Sequence, residues 1–412
     1  MRIFFSAGEP SGDHHAALLI KAIRKINPKV ECNGLGGPQM AAAGCHLIDD
    51  LTALAVMWVS RVILNIHRFF EFIRRAERSF IDHRPDVVVL IDYPGFHWWL
   101  AWRAKRHGIP VIFYCPPQIW AWASWRIGKM RRLIDHVLSA LPFEHAWFAS
   151  QGLKSSLVGH PFFDGWKAET IVRPAHRMLL LLPGSRRQEI DANLESILEA
   201  TTIIQSQVQD LEVVVGAFCD RHAKQIQQAI ARRGLAVRIE VGRTQNLIAQ
   251  AHAAIAVSGS VSLELLAARV PTVILYRTTT IGWIIQSWFR HAKWITLVNL
   301  LACREPIVPL QRRITVPKTV ERADPENVFP EYLVVLDPSV RLAEHVVEWF
   351  QNEKKRSLVI DRLDQIAKEI GQSGSAEKAA DYIVDVAKSI QETFTETRIN
   401  VSVQTSTIER AA

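Results

Sequence analysis

Short runs of consecutive apolar residues recur along this chain, separated by longer stretches of mixed character. The first half has such runs at Arg2–Ala7, Val30–Gly34, Asp86–Ile91, Ile109–Tyr114 and His136–Ala140. The second half repeats the rhythm at Met178–Leu182, Leu211–Val215, Val237–Val241, Ala253–Val257 and Thr272–Leu275. Unbroken runs such as Val87–Ile91 suit strands of a parallel sheet covered on both faces, and the stretches between them are long enough for helices. The pattern predicts an α/β protein with two doubly wound halves. A polar segment with Pro174, Gly165–Arg177, reads as the linker between them. Helices are expected over Glu344–Phe350 and Ala376–Ile390, and Arg312–Asn327, without an apolar period, reads as an inserted loop. After Thr393 the chain is polar and rich in Ser and Thr, as a loose tail would be. The expected divisions are residues 1–168, 175–342, 343–390 and 391–412.

Composition narrows the class. A chain of 412 residues, 49% apolar and 22% charged, can bury ordinary cores. Its net charge of +8 points to an anionic partner: nucleic acid, a phosphorylated substrate or an acidic membrane surface. Five cysteines without a C-x-x-C pair suit a reducing compartment. The chain enters a strand at Arg2, so no leader is expected, and no run of about 18 uncharged apolar residues suggests a membrane span. No nucleic-acid motif is evident, and the basic residues sit among bulky apolar ones.

Two glycine-rich turns each follow a strand and open a helix, Gly8–Asp13 after Arg2–Ala7 and Pro183–Ile190 after Met178–Leu182. Backbone N–H groups and the helix dipole hold an anion at such turns. One in each half suggests two nucleotide-binding-type domains facing each other across a cleft, as in a glycosyltransferase. Arg186 and Arg187 lie at the start of a helix, where a cation is unfavourable unless an anionic ligand is present. Ser258, Gly259 and Ser260 can donate to phosphate, and Glu264 can accept from ribose hydroxyls; a capped helix start would look the same. Asp92 follows Asp86–Ile91 and precedes Tyr93-Pro94-Gly95, where it suits either a general base at a cleft or an Asx turn. His14 and His15 are adjacent and do not share a helix face, so no metal site is indicated. His160 suits a cleft hydrogen bond or a plain surface turn.

Leu54–Phe80 combines an apolar, aromatic surface (Trp58, Phe69, Phe70) with a basic stripe (Arg61, Arg68, Arg75, Arg78). That pattern suits an anionic lipid interface as well as a core helix. Trp283–Trp294, with Arg290 and Lys293, is a second aromatic and basic stretch.

Ten motifs in order make the chain resemble the lipid-A-disaccharide synthases from about residue 3 to 310. They are Ala7–Asp13, Gly34–Met40, Leu54–Met57, Ile91–Pro94, Trp120–Trp122 with Arg126, Leu141–Glu144, Gly159–Pro161, Leu182–Arg186, Ser258–Ser260, and Asn299–Ala302 with Arg304 and Glu305. The resemblance implies a two-domain glycosyltransferase of the B-type (GT-B) fold whose C-terminal helices cross back to the first domain. It implies transfer, with inversion and without metal or cofactor, of 2,3-diacylglucosamine from its UDP ester to 2,3-diacylglucosamine 1-phosphate. The product is a β-1,6 disaccharide, formed at the cytoplasmic face of the membrane by a peripheral protein; a second copy of the chain, as a homodimer, is among the partners considered. Carried over to this sequence, Asp92 is the base and Arg186 stabilises the leaving diphosphate. Gly184, Ser185, Arg186, Ser258, Gly259, Ser260 and Glu264 hold UDP. Gly8, Glu9, Ser11, Gly12 and His160 line the sugar side, and Asn299 and Glu305 complete the site. The chain departs from the family pattern at Trp58, Arg61, Gly95, His97, Val298 and Cys303. Another lipid acceptor, a UDP-sugar epimerase, or a non-catalytic UDP-sugar or lipid binder are the competing readings.

Overall fold

The computed structural model describes residues 1–52, 66–165, 174, 176–310, 312–370 and 374–392. These divide into two compact units, one formed by residues 1–119, 123–165 and 374–392 and the other by 120–122 and 174–370.

The first unit holds a seven-stranded sheet of β1 (Arg2–Ala7), β2 (Glu31–Gly36), β3 (His46–Asp50), β4 (Val87–Ile91), β5 (Val111–Tyr114), β6 (His136–Ser139) and β7 (Ser155–Leu157), in the order 3-2-1-4-5-6-7. Every pairing is parallel. Alternate residues of one strand feed different cores, which is why the central runs are apolar throughout. Val87, Val89 and Ile91 join Ile3, Phe5 and Ala7 under the helices Pro10–Ile26 and 375–392. Val88 and Leu90 join Phe4 on the other face, under Ile66–Asp82 and Pro94–Arg106.

The second unit holds six parallel strands, β8 (Arg177–Leu182), β9 (Leu211–Ala217), β10 (Arg238–Val241), β11 (Ala253–Val257), β12 (Thr272–Arg277) and β13 (Glu331–Val334), in the order 10-9-8-11-12-13. Both sheets are therefore doubly wound about a point where the strand order reverses, between β1 and β4 in one and between β8 and β11 in the other.

The C-terminal region divides differently from the expected block 343–390. Ser339–Gln351 packs against Arg187–Gln207, and Glu353–Ile370 against Val261–Ala267, all within the second unit. Only the helix 375–392 belongs to the first unit, where Ala376, Ala379, Ala380, Ile383, Val384 and Ala387 complete the core. Small residues along that face let the helix sit close to its neighbours. Its N-terminus is fixed by Asp164, whose carboxylate accepts from the N–H groups of Gly374 (2.7 Å), Ser375 (2.9 Å) and Ala376 (2.6 Å). This side-chain cap satisfies three donors that the helix itself leaves open. No described helix is long and apolar enough to cross a membrane. The expected loose tail from Thr393 on and most of the expected linker lie outside the described residues.

Candidate active site

In the first unit the expected residues gather at the switch point. Ala7 and Ile91 are partners across β1 and β4, so the segments that leave these strands start side by side. A Cβ on Gly8 would lie 2.2 Å from Tyr93 Cδ1, so only glycine lets the first turn lie against that ring. Glu9 and Ser11 are exposed at the start of Pro10–Ile26, with Pro10 at its first position. Asp13 has a structural role: its carboxylate accepts from Gly37, Gln39 and Met40 N–H at 2.9–3.0 Å and holds the next turn in place.

Asp92 and Tyr93 both take left-handed backbone conformations, with φ of 55° and 48°. That is costly for residues with side chains and persists only where neighbours enforce it. The enforcing group is His97, which is completely buried. Its Nδ1 meets the Asp92 carbonyl at 2.5 Å and its Nε2 meets Ser6 Oγ at 2.9 Å. A carbonyl only accepts, so Nδ1 carries the proton and Nε2 accepts from the serine hydroxyl. Burial lowers the His97 pKa to about 3 and keeps the ring neutral, as this arrangement needs. The Asp92 carboxyl titrates above the usual carboxylate range because burial disfavours its charge, although the Tyr93 N–H opposes the shift.

Replacing His97 by leucine is expected to leave the Asp92 carbonyl and Ser6 hydroxyl without partners. Each such loss costs roughly 1–3 kcal/mol. A urea-unfolding midpoint equal to that of wild type would contradict this role.

His160 is half-buried, desolvation lowers its pKa to about 4, and its Nδ1 accepts from Phe162 N–H at 3.2 Å. Its ring stands edge-on to His15, 6.3 Å away.

In the second unit a cavity of about 620 Å³ opens at the carboxyl ends of β8–β11. It is lined by Gly184, Ser185, Arg186, Ser258, Gly259, Ser260 and Glu264, all expected from the sequence. Gly184 adopts φ +125°, and an added Cβ there would lie 2.6 Å from Glu189 Cβ. The Glu189 carboxylate accepts from Ser185 N–H (2.9 Å) and Arg186 N–H (3.2 Å), so an anion of the protein's own sits on the turn. The Arg186 guanidinium, 3.6 Å from Glu189, is largely exposed to the cavity mouth. Burial raises the Glu264 carboxyl.

Two further elements line the cavity, Phe218 after β9 and Gly242–Asn246 after β10. Phe218 is 68% exposed, a large apolar ring held at a cavity wall. The signal available in the sequence was position: both follow expected strands, as the recognised turns do.

Asn299 departs from the expected role. It is buried, and its amide is saturated by protein. Its Nδ2 donates to the Phe329 carbonyl (2.7 Å) and Glu331 (2.9 Å), while its Oδ1 accepts from Val328 and Phe329 N–H (both 3.0 Å). Glu305 is exposed.

Of the expected lipid-facing residues, Trp58 and Arg61 lie outside the described residues. Arg68 is exposed, and Phe70 (41% exposed) meets Trp99 edge-on at 6.1 Å. Phe69 instead packs on Phe96 (5.1 Å), and Arg75 is paired with Asp49 (2.7 Å) and Glu71. The exposed aromatic surface continues onto Trp99 and Trp102, with the Arg103 and Arg106 guanidiniums over the Trp102 ring at 4.8 and 4.9 Å.

The family profile for lipid-A-disaccharide synthetase matches residues 3–320. The chain is 29% identical over 394 residues to the lipid-A-disaccharide synthase of Myxococcus xanthus, covering 93% of this chain and 97% of that one. It is 33% identical over 307 residues to that of Nitrosococcus oceani, covering 72% and 79%. Among solved structures it is similar to the glycotransferase of kitacinnamycin (TM-score 0.60, 16% identity, 93% and 98% covered). It is also similar to the Neisseria meningitidis UDP-GlcNAc 2-epimerase bound to UDP-GlcNAc (TM-score 0.57, 12% identity, 93% and 99% covered). Two doubly wound sheets and a profile match over most of the chain lead to one assignment: the chain belongs to the lipid-A-disaccharide synthase family of glycosyltransferases, with the GT-B fold.

Proposed function

We propose that the chain transfers 2,3-diacylglucosamine from its UDP ester to the 6-hydroxyl of 2,3-diacylglucosamine 1-phosphate, with inversion. The observation that carries this reading is a pair of complementary groups at two sheet switch points. One is Asp92, a carboxylate with a raised pKa; the other is an anion-binding turn with an exposed arginine, Arg186. Asp92 takes the acceptor hydroxyl proton as that oxygen bonds to the sugar C1. The C1–O bond to the diphosphate breaks, and its electron pair stays on the phosphate oxygen. Arg186 and the N–H groups of Ser185 and Arg186 stabilise that charge once the diphosphate has displaced Glu189. Glu264 accepts from the ribose, and the uracil stacks on Phe218 beside Gly242–Asn246. Gly8, Glu9, Ser11, Gly12 and His160 form the sugar side.

The acylated substrates bring the enzyme to an anionic bilayer at the inner face of the cytoplasmic membrane. Arg68, Phe70, Trp99 and Trp102 form its lipid-facing surface there. The test is incubation with both acylated substrates and mass spectrometry of the lipid product. Disaccharide and UDP are expected; no disaccharide despite bound UDP-sugar would direct the search to another acceptor.

A further inference from the structure

The helix Thr280–Phe289 in the second unit presents a face that the catalytic reading leaves unused. Trp283 turns inward at 9% exposure, while Ile281, Ile285, Trp288 and Phe289 are 71%, 53%, 43% and 46% exposed. Their spacing of four, three and one puts all four on one side of the helix. The helix is rigidly mounted. Thr279 accepts from Gly282 N–H at 3.1 Å at its start. At its end, Arg312 N–H donates to the Ser287 carbonyl (3.0 Å), and the Ser287 hydroxyl donates to the Arg313 carbonyl (2.6 Å). These bonds pin a second exposed segment alongside, carrying Ile314 (71% exposed) and the exposed Arg312 and Arg313.

Charge identifies what this face meets. Arg312 and Arg313 are exposed beside it, and the helix itself carries no Asp or Glu. An apolar, aromatic stripe flanked by arginines, with no acid on its helix, complements a surface that is greasy below and anionic above.

We propose that Ile281, Ile285, Trp288, Phe289 and Ile314 insert into an anionic lipid surface, with Arg312 and Arg313 at the phosphate level. The second unit thereby holds its own membrane contact. This inference rests on the membrane-facing reading above but names a different surface, so the two can fail separately.

The experiment uses the full chain and sedimentation with vesicles of phosphatidylglycerol and phosphatidylcholine in equal parts, or of phosphatidylcholine alone. Ile285→Ser/Trp288→Ser and Arg312→Gln/Arg313→Gln are each expected to weaken binding to the anionic vesicles by roughly tenfold. UDP affinity, read by calorimetry, is expected to stay unchanged. Phe70→Ser/Trp99→Ser reports the first unit's surface in the same assay, independently of this one. Anionic-vesicle binding by both second-unit variants equal to wild type would overturn the proposal. So would a wild-type dimer that becomes monomeric in Ile285→Ser/Trp288→Ser without loss of vesicle binding, since the face would then belong to a second copy of the chain.

Discussion

Asp92→Asn is expected to lower turnover by roughly 10²- to 10⁴-fold, the range for losing a general base, with UDP affinity retained. The amide keeps the shape of the side chain but cannot take a proton. In the wild type, the raised pKa of Asp92 sets the basic form to appear only above the usual carboxylate range. Turnover is therefore expected to climb with pH through that raised value, and this limb should vanish in the variant. The same shift carries a sign for stability. A carboxyl whose pKa is higher folded than unfolded favours the folded state when protonated, and that contribution is lost as pH rises from the unfolded value through the folded one. The uncharged amide escapes the loss, so the variant is expected to melt above wild type at neutral pH and to converge with it in acid. Near-normal turnover would remove Asp92 from the chemistry. A lower melting temperature at neutral pH would show instead that its ionised form is stabilised.

Arg186→Ala is expected to cost roughly 10²- to 10³-fold in turnover, as for the removal of one preorganised group from a developing charge. Arg187→Ala, one residue along, is the control. Arg187 is mostly exposed and lies 3.6 Å from Asp191, an i,i+4 surface pair of small energetic consequence, so its loss should change turnover little. Equal losses in the two variants would mean that general positive charge, not a placed guanidinium, serves the leaving group. Arg186→Lys should recover only part of the rate, because an ammonium cannot make the two parallel bonds of a guanidinium to a phosphate.

Strand β4 could be read from sequence because burial on both faces leaves no position for a polar residue. Three of the four edge strands offered no such signal: His46–Asp50 and Ser155–Leu157 are polar and half-exposed, and Glu331–Val334 begins with an acid that caps a neighbouring turn. The same logic divides the site. The turns at Gly8, Gly184 and Ser258 follow strong strands and advertise themselves by small residues. Phe218 looked like any hydrophobe, because its exposure is a property of the folded wall and not of its neighbours in sequence. His97 stood out only as a departure from the family pattern. Its role depends on Ser6, which is 91 positions away. Asn299 was legible as important but not as structural, since its four hydrogen bonds go to residues around Phe329 that the sequence leaves unstructured.

The cap that Asp164 places on the last helix also sets a timetable for synthesis. Its partners at 374–376 leave the ribosome 210 residues later, roughly 10–40 s at ordinary elongation rates. All of the second unit except residues 120–122 is made in that interval. Meanwhile the first unit lacks helix 375–392 and its share of the core, and the Tyr114 hydroxyl lacks its Ser375 partner. A chain truncated before Gly374 is thus expected to show a protease-resistant second unit beside a first unit that is readily cut. The order of completion would run opposite to the order of translation.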